Sequence, residues 1–227
     1  MQFTNIIFDF DGTIVDSMPI WIKKVTRILE NEGVEYDAEL IKTITPLGDI
    51  GTANYFKDTL GIKASVEEII SEMDNYAFPE YKNRISLKQG VLEYLVYLKR
   101  QGYSLHILSA SPREMIVPCL KRNGIYNLFD NVWSCMELGK TKSDPCIYIE
   151  VASRLKHNPC EIVFFDDNVE AIRAAARSGM RTVGVYDKSA EPFRQEIMQI
   201  SDMYICSFLT LRDIVCQKNL SNCLTKS

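Results

Sequence analysis

Two carboxylates stand two residues apart in Phe8-Asp9-Phe10-Asp11-Gly12-Thr13, at the end of an apolar run and directly before a glycine. A second acidic pair, Asp166-Asp167, follows the apolar run Ile162-Val163-Phe164-Phe165. Each pair has a plain reading on its own, since Asp and Gly favour turns and Asp167 is a fitting N-cap for a helix. Taken together they put three or four carboxylates at strand ends, where they repel one another unless a hard cation neutralises them. Mg²⁺ is the expected ion, because it favours oxygen ligands and keeps several waters. Ser109 closes a third apolar run, Leu105-His106-Ile107-Leu108. Its hydroxyl and the backbone amides of Ala110 and Gly12 are candidate donors to phosphate oxygens. Lys142, in Gly139-Lys140-Thr141-Lys142-Ser143-Asp144-Pro145, would set a cation beside a transferring group, with Lys140 competing for the role.

These residues need a scaffold that brings several strand ends together. Short apolar runs alternate with amphipathic stretches along most of the chain, the pattern of a doubly wound, mostly parallel α/β sheet covered by helices on both faces. Strands are expected at Asn5–Phe10, Ser104–Leu108, Val132–Ser134, Glu161–Phe165 and Arg181–Val185. Between Ser17 and about Lys88 the periodicity is helical throughout, with helices expected at Pro19–Asn31, Asp37–Ile44, Thr52–Leu60 and Ser65–Tyr81. The chain therefore divides into a core of residues 1–16 and 89–217, an inserted helical cap of residues 17–88, and a frayed tail of residues 218–227. The turn from Thr45 to Gly51 joins two cap helices, and Thr45 and Asp49 are its polar candidates for contacting a substrate. The rival reading of that turn is an ordinary connection between helices.

The four motifs, in order and at these separations, resemble the haloacid dehalogenase superfamily of phosphotransferases, over about Thr4 to Val215. The branch it is similar to carries a helical cap after the first strand, as in phosphoglycolate phosphatases and β-phosphoglucomutases. The resemblance implies a Rossmann-like core and a phosphatase acting through an aspartyl-phosphate. It makes Asp9 the nucleophile and Asp11 the general acid and base. It implies Mg²⁺ held by Asp9, the Asp11 carbonyl and Asp167, with Asp166 as a ligand or its neighbour, while Ser109 and Lys142 orient and neutralise the phosphate. Two departures stand out: many relatives carry Gly where this chain has Asp166, and an acid where it has Ala171. Asp11 argues against a dehalogenase. Trp21 stands where the sugar-phosphate mutase branch has a histidine, so a mutase is the alternative reading, beside a catalytically idle binding relative.

Composition excludes other classes. With 26 Lys plus Arg against 30 Asp plus Glu the net charge is −4, and no basic stripe with interleaved aromatics exists to grip a nucleic acid polymer. The seven cysteines are widely spaced without a C-x-x-C pair, which points to reduced thiols in a cytoplasmic protein rather than disulfides or zinc. No run approaches the ~20 apolar residues that cross a bilayer. A small phosphorylated metabolite is the expected partner, met by a monomer or weak dimer. His106, in a core strand, and His157, in a loop, are assigned no catalytic part.

Overall fold

The computed structural model describes residues 3–211. The expected tail of residues 218–227 and the end of the expected core at 212–217 lie outside them. Strand β1 (Asn5–Phe8) leads into four helices: α1 (Met18–Asn31), α2 (Ala38–Ile44), α3 (Gly48–Asp58) and α4 (Val66–Asn83). Alternation then begins with α5 (Val91–Arg100), β2 (Ser104–Ser109), α6 (Arg113–Arg122), β3 (Asn131–Ser134), α7 (Cys135–Leu138), α8 (Pro145–Leu155) and β4 (Ile162–Asp166). It closes with α9 (Val169–Ser178), β5 (Arg181–Val185), α10 (Arg194–Ile200) and β6 (Met203–Ile205). No helix among the described residues is long and apolar enough to cross a membrane.

The six strands form one parallel sheet in the order β3-β2-β1-β4-β5-β6. Strands covered on both faces read as continuous apolar runs, and β1 and β4 are buried at every position. Their alternation sorts the two faces. Ile6, Phe8, Leu105, Ile107, Val163 and Phe165 pack with α5 and α6, while Ile7, Leu108, Ile162 and Phe164 pack with α8 and α9. The order in which strands are added reverses between β1 and β4, which are parallel neighbours in the sheet though far apart in sequence. Open parallel sheets have their ligand crevice at such a switch point, beyond the strands' carboxyl ends.

Helices α1 to α4 bury Trp21, Val25, Leu29, Ile44, Phe56, Ile69 and Met73 against one another. Their amphipathic faces find each other because no strand lies within the segment. The connections on either side of this segment pair with each other: Asp16 N donates to Ser86 O, and Lys88 N to Ile14 O, at 3.0 and 2.9 Å. At its far end α4 leaves the helical cluster, and its Ala77 and Tyr81 join the core that packs against the sheet with α5 and α6.

Two boundaries and one short strand differ from expectation. Strand β1 ends at Phe8, because the chain curls at once into a turn in which Ile14 N and Val15 N both donate to Phe10 O. Helix α3 starts at Gly48 instead of Thr52, so the turn expected at 45–51 is a 3-10 turn (Thr45–Leu47) plus the first turn of α3. Glycine's poor helix propensity hid that start. Helix α4 begins as expected, with Ser65 and Glu68 forming a reciprocal capping box. The edge strand β6, three residues long, gave no periodic signal to read.

His106 sits 2% exposed within β2, stacked on Trp133. Its Nε2 donates to Asn5 Oδ1 and its Nδ1 accepts from Asn131 Nδ2, both at 3.0 Å, which fixes a neutral ring. Burial pushes its pKa down to about 4. In the unfolded chain an imidazole titrates near 6.5. The unfolded state therefore binds more protons between those values, and the stability held above pH 6.5 is lost as pH falls toward 4. Unfolding free energies at pH 7 and pH 5 should differ by about 2 kcal/mol more for the wild type than for His106→Gln. Equal differences in urea titrations of the two proteins would contradict the neutral, buried ring.

Candidate active site

The parallel register sets Phe8 beside Phe165, and Asp9 N donates to Phe165 O at 2.8 Å. Asp9 and Asp166 therefore emerge side by side from adjacent strand ends. With Asp167 they form a cluster whose carboxylate oxygens lie within 4.8 Å of one another, all three residues being buried. Lys142 reaches them from the segment between α7 and α8. Its ammonium contacts Asp9 Oδ1 and stands 2.9 Å from Asp166 Oδ2. Asp144 caps α8 through Cys146 N, and the Tyr148 hydroxyl donates to Lys142 O and Ala171 O, tying that segment to α8 and α9. Lys140 instead pairs with Glu150 at 2.6 Å.

The expected N-cap at Asp167 belongs to Asn168, whose side chain accepts from Glu170 N and Ala171 N. That one-residue difference frees Asp167 to face the cluster. Thr13 Oγ1 donates to Asp167 Oδ1 at 2.9 Å, whereas both Asp166 oxygens are engaged, one by Lys142 and the other by Asn168 N at 2.7 Å. Gly12 lies against the other Asp167 oxygen. A Cβ there would stand 2.5 Å from Asp167 Oδ2, and its φ of +75° is one that other residues rarely adopt. Lys88, on the return from α4, donates to Gly12 O, to Tyr186 O at 2.6 Å and to Asp187 Oδ2 at 2.9 Å, pinning the turn from behind.

Electrostatics follow from this crowding. Burial raises the Asp9 pKa well above the usual carboxylate range, opposed by Lys142 and reinforced by the other three aspartates. Burial, then Asp166 and Asp187, push Asp167 up to about 8. Burial alone would lower the Lys142 pKa, yet Asp166 and Asp9 outweigh it and keep the ammonium charged. Three carboxylates facing one ammonium leave an excess negative charge that a divalent cation fits.

Asp11 lies outside this cluster and is held by four hydroxyls. Ser17 and Tyr81 donate to its Oδ1, and Ser109 and Ser111 to its Oδ2, with Ser17, Ser109 and Ser111 at 2.7, 3.2 and 2.7 Å. Ser109 Oγ also accepts from Ser111 N. Ser109, read from the sequence as a phosphate donor, is thus turned toward Asp11 and fully buried. Of these groups Ser17, Tyr81 and Ser111 carried no sequence signal. Tyr81 lies seventy positions from Asp11, and only the fold joins them.

A cavity of about 540 Å³ opens over these groups. Asp9, Asp11, Ala110, Lys142, Asp166 and Asp167 line it from the sheet side; Gly12 and Ser109 do not reach its surface. Thr45 and Asp49 line it from the helical segment, together with Trp21 and Asp74. The Thr45 hydroxyl donates back to Ile41 O at 2.6 Å, and Asp49 accepts from Trp21 Nε1 and Lys24 Nζ.

Comparison with known proteins agrees with this architecture. Hexitol phosphatase B of Escherichia coli is 24% identical over 230 residues, covering 94% of this chain and 97% of its own. Pyrophosphatase PpaX of Bacillus velezensis is 30% identical over 183 residues, covering 80% and 82%. The crystal structure of CbbY from Rhodobacter sphaeroides in complex with phosphate shares the fold at a TM-score of 0.79 and 19% identity, covering 92% of this chain and 96% of that one. A family model described as haloacid dehalogenase-like hydrolase matches residues 6–185, the span that carries β1 through β5 and every residue of the cluster. The chain belongs to the haloacid dehalogenase-like hydrolase family.

Proposed function

We propose that this chain hydrolyses a small phosphomonoester, with Mg²⁺, through an aspartyl-phosphate on Asp9. The observation that carries this reading is the position of Asp9, buried at the switch point between Lys142 and the Asp166-Asp167 pair, two residues from a carboxylate held by four hydroxyls. Relatives named as phosphatases support the reaction class. Their names also span uncharged polyol and anionic substrates, so the family leaves the leaving group open.

In this mechanism Asp9 attacks phosphorus in line, forming a carboxylate-to-phosphorus bond as the bond to the leaving oxygen breaks. Asp11, protonated, gives its proton to that oxygen, then takes one from the water that hydrolyses the acyl phosphate. Lys142 neutralises charge on Asp9 and on the phosphoryl oxygens, and the Ala110 amide donates to those oxygens. Asp9, the Asp11 carbonyl and the unshared oxygen of Asp167 would hold Mg²⁺, with Asp166 orienting Lys142 and the loop instead of binding the ion. When bound, Mg²⁺ neutralises the carboxylates and polarises the phosphoryl group. Tyr81 and Ser17 position Asp11 through its Oδ1. Trp21 donates its indole N–H to Asp49 and offers no imidazole to gate Asp11, which favours hydrolysis over the mutase alternative. Residues 17–88 serve as the cap that excludes bulk water from the acyl phosphate. The five described cysteines are all free and three of them are exposed, which suits the reducing cytoplasm.

Two outcomes are expected. Asp9→Asn should lower kcat at least ~10³-fold and Asp11→Asn by ~10²- to 10⁴-fold, both with unchanged circular dichroism. Undiminished phosphate release by either variant contradicts its assigned role. Mg²⁺ at a hundred times its Kd should stabilise the wild type by about 2.7 kcal/mol, raising Tm by roughly 5–10 °C, reversibly with chelator. Asp167→Asn should abolish that rise; an unchanged rise would place the ion elsewhere.

A further inference from the structure

Away from the phosphoryl groups, polar side chains around the cavity are satisfied within the protein. On the helical side the Thr45 hydroxyl donates to Ile41 O, and Trp21 Nε1 and Lys24 Nζ hold the two Asp49 oxygens at 2.9 and 2.6 Å. On the sheet side Lys140 pairs with Glu150, the Thr141 and Ser143 hydroxyls bond to each other at 2.8 Å, and Ser189 Oγ donates to Asp187 Oδ1 at 2.7 Å. The orphaned oxygen Asp74 Oδ1 is closed to solvent, and therefore to a ligand. None of these groups waits for a hydrogen bond or a counter-charge from a substrate.

What the walls leave uncovered is apolar surface. Nine large apolar side chains are exposed among the described residues, and three of them border this one cavity: Leu47 at 45% and Ile50 at 46% from the helical segment, and Met136 at 55% from α7. Met18, Ile70 and Phe193 line it as well. Single exposed apolar side chains are ordinary, whereas several gathered on one concave surface mark a binding groove. Asp9, Lys142 and Asp167 line the same cavity, so an ester seated by its phosphoryl group on Asp9 sets its leaving group among these side chains. The two lysines of the lining are both paired with carboxylates, which leaves no free cation for an anionic leaving group. A leaving group covered in hydroxyls would give up water without gaining a partner.

Resting on the phosphomonoesterase reading, we propose that the substrate is a phosphate ester with an extended apolar body, recognised by contact with Leu47, Ile50 and Met136 instead of by hydrogen bonds to its leaving group. Affinity then grows with the hydrocarbon area removed from water. Hydroxylated and charged leaving groups are rejected because nothing in these walls compensates their desolvation. Thr45 and Asp49, the polar candidates of the turn, shape the wall through their bonds to Ile41, Trp21 and Lys24 and leave the contact to their apolar neighbours.

The test measures kcat/KM with Mg²⁺ for ethyl, butyl and hexyl phosphate, a hexitol phosphate, and p-nitrophenyl phosphate as the check on the reaction itself. The alkyl esters release alcohols of nearly equal acidity, so differences among them report contact and not chemistry. A fully buried methylene is worth roughly fourfold and a half-buried one about twofold, so hexyl phosphate should exceed ethyl phosphate at least about tenfold. It should also exceed the hexitol ester, which has the same number of carbons, by at least about fivefold. Leu47→Ser combined with Ile50→Ser should lower the hexyl-to-ethyl ratio at least about threefold, chiefly through KM, whereas Leu92→Ser, at an exposed leucine of α5, should leave it unchanged. A ratio is read because a general loss of folded protein moves both esters together. Equal turnover of ethyl and hexyl phosphate, a hexitol ester turned over as well as the hexyl ester, or a ratio unmoved by the paired substitution overturns the assignment. Failure of the wild type on every ester overturns the phosphatase reading itself, and this inference with it, whereas nitrophenyl turnover without preference for the longer alkyl ester overturns this inference alone.

Discussion

An ammonium group held between two buried carboxylates sets the terms for the structure around it. Lys142, its side chain 13% exposed, contacts Asp9 and Asp166, both buried, so each charge depends on the others to stay ionised. Removing one partner of such a buried pair typically costs ~3–5 kcal/mol, because the remaining charge is stranded in a poor dielectric. The surrounding fold is arranged to keep the cluster satisfied. Asn168 N takes the second Asp166 oxygen, Thr13 takes one Asp167 oxygen, and Tyr148 anchors the backbone that carries Lys142. What is left over is negative charge on Asp9 and Asp167, turned toward the cavity.

Scaffold and site are joined by register. Because β1 and β4 pair in parallel with Phe8 opposite Phe165, the residues that follow them are forced together without any further device. The helices between β1 and β2 then supply what the strands cannot. Tyr81 and Ser17 come from either end of that insertion and meet at Asp11, and Lys88 returns to the Gly12 carbonyl. Movement of the helical segment would thus be felt at Asp11 directly, through two hydroxyls.

Much of this was legible in the sequence, for physical reasons that differ between residues. Asp9, Asp11, Asp166, Asp167 and Lys142 could be found because they sit at the ends of fully buried strands or just before a helix, where a charged residue after an apolar run is conspicuous. The sheet could be read because buried parallel strands are short, apolar and punctuated. Asp74, Tyr81, Ser111 and Lys88 could not be found that way. They lie on amphipathic helices or in connections, where polar residues are ordinary, and they reach the site only through tertiary packing. Asn168 displaced Asp167 as the helix cap because either side chain suits the position and only the turn geometry chooses. Gly48 obscured the start of α3, since helix propensity argues against glycine.

Covalent participation of Asp9 underlies the whole account, and it can be read directly on the protein. Enzyme quenched during turnover of a reactive phosphate ester would be reduced with borohydride, which converts an acyl phosphate on aspartate to homoserine, and then mapped by peptide mass spectrometry. The account predicts homoserine at position 9, dependent on both substrate and Mg²⁺, and at no other aspartate. Steady turnover with Asp9 recovered unmodified, or reduction at Asp166 or Asp167 instead, would contradict it.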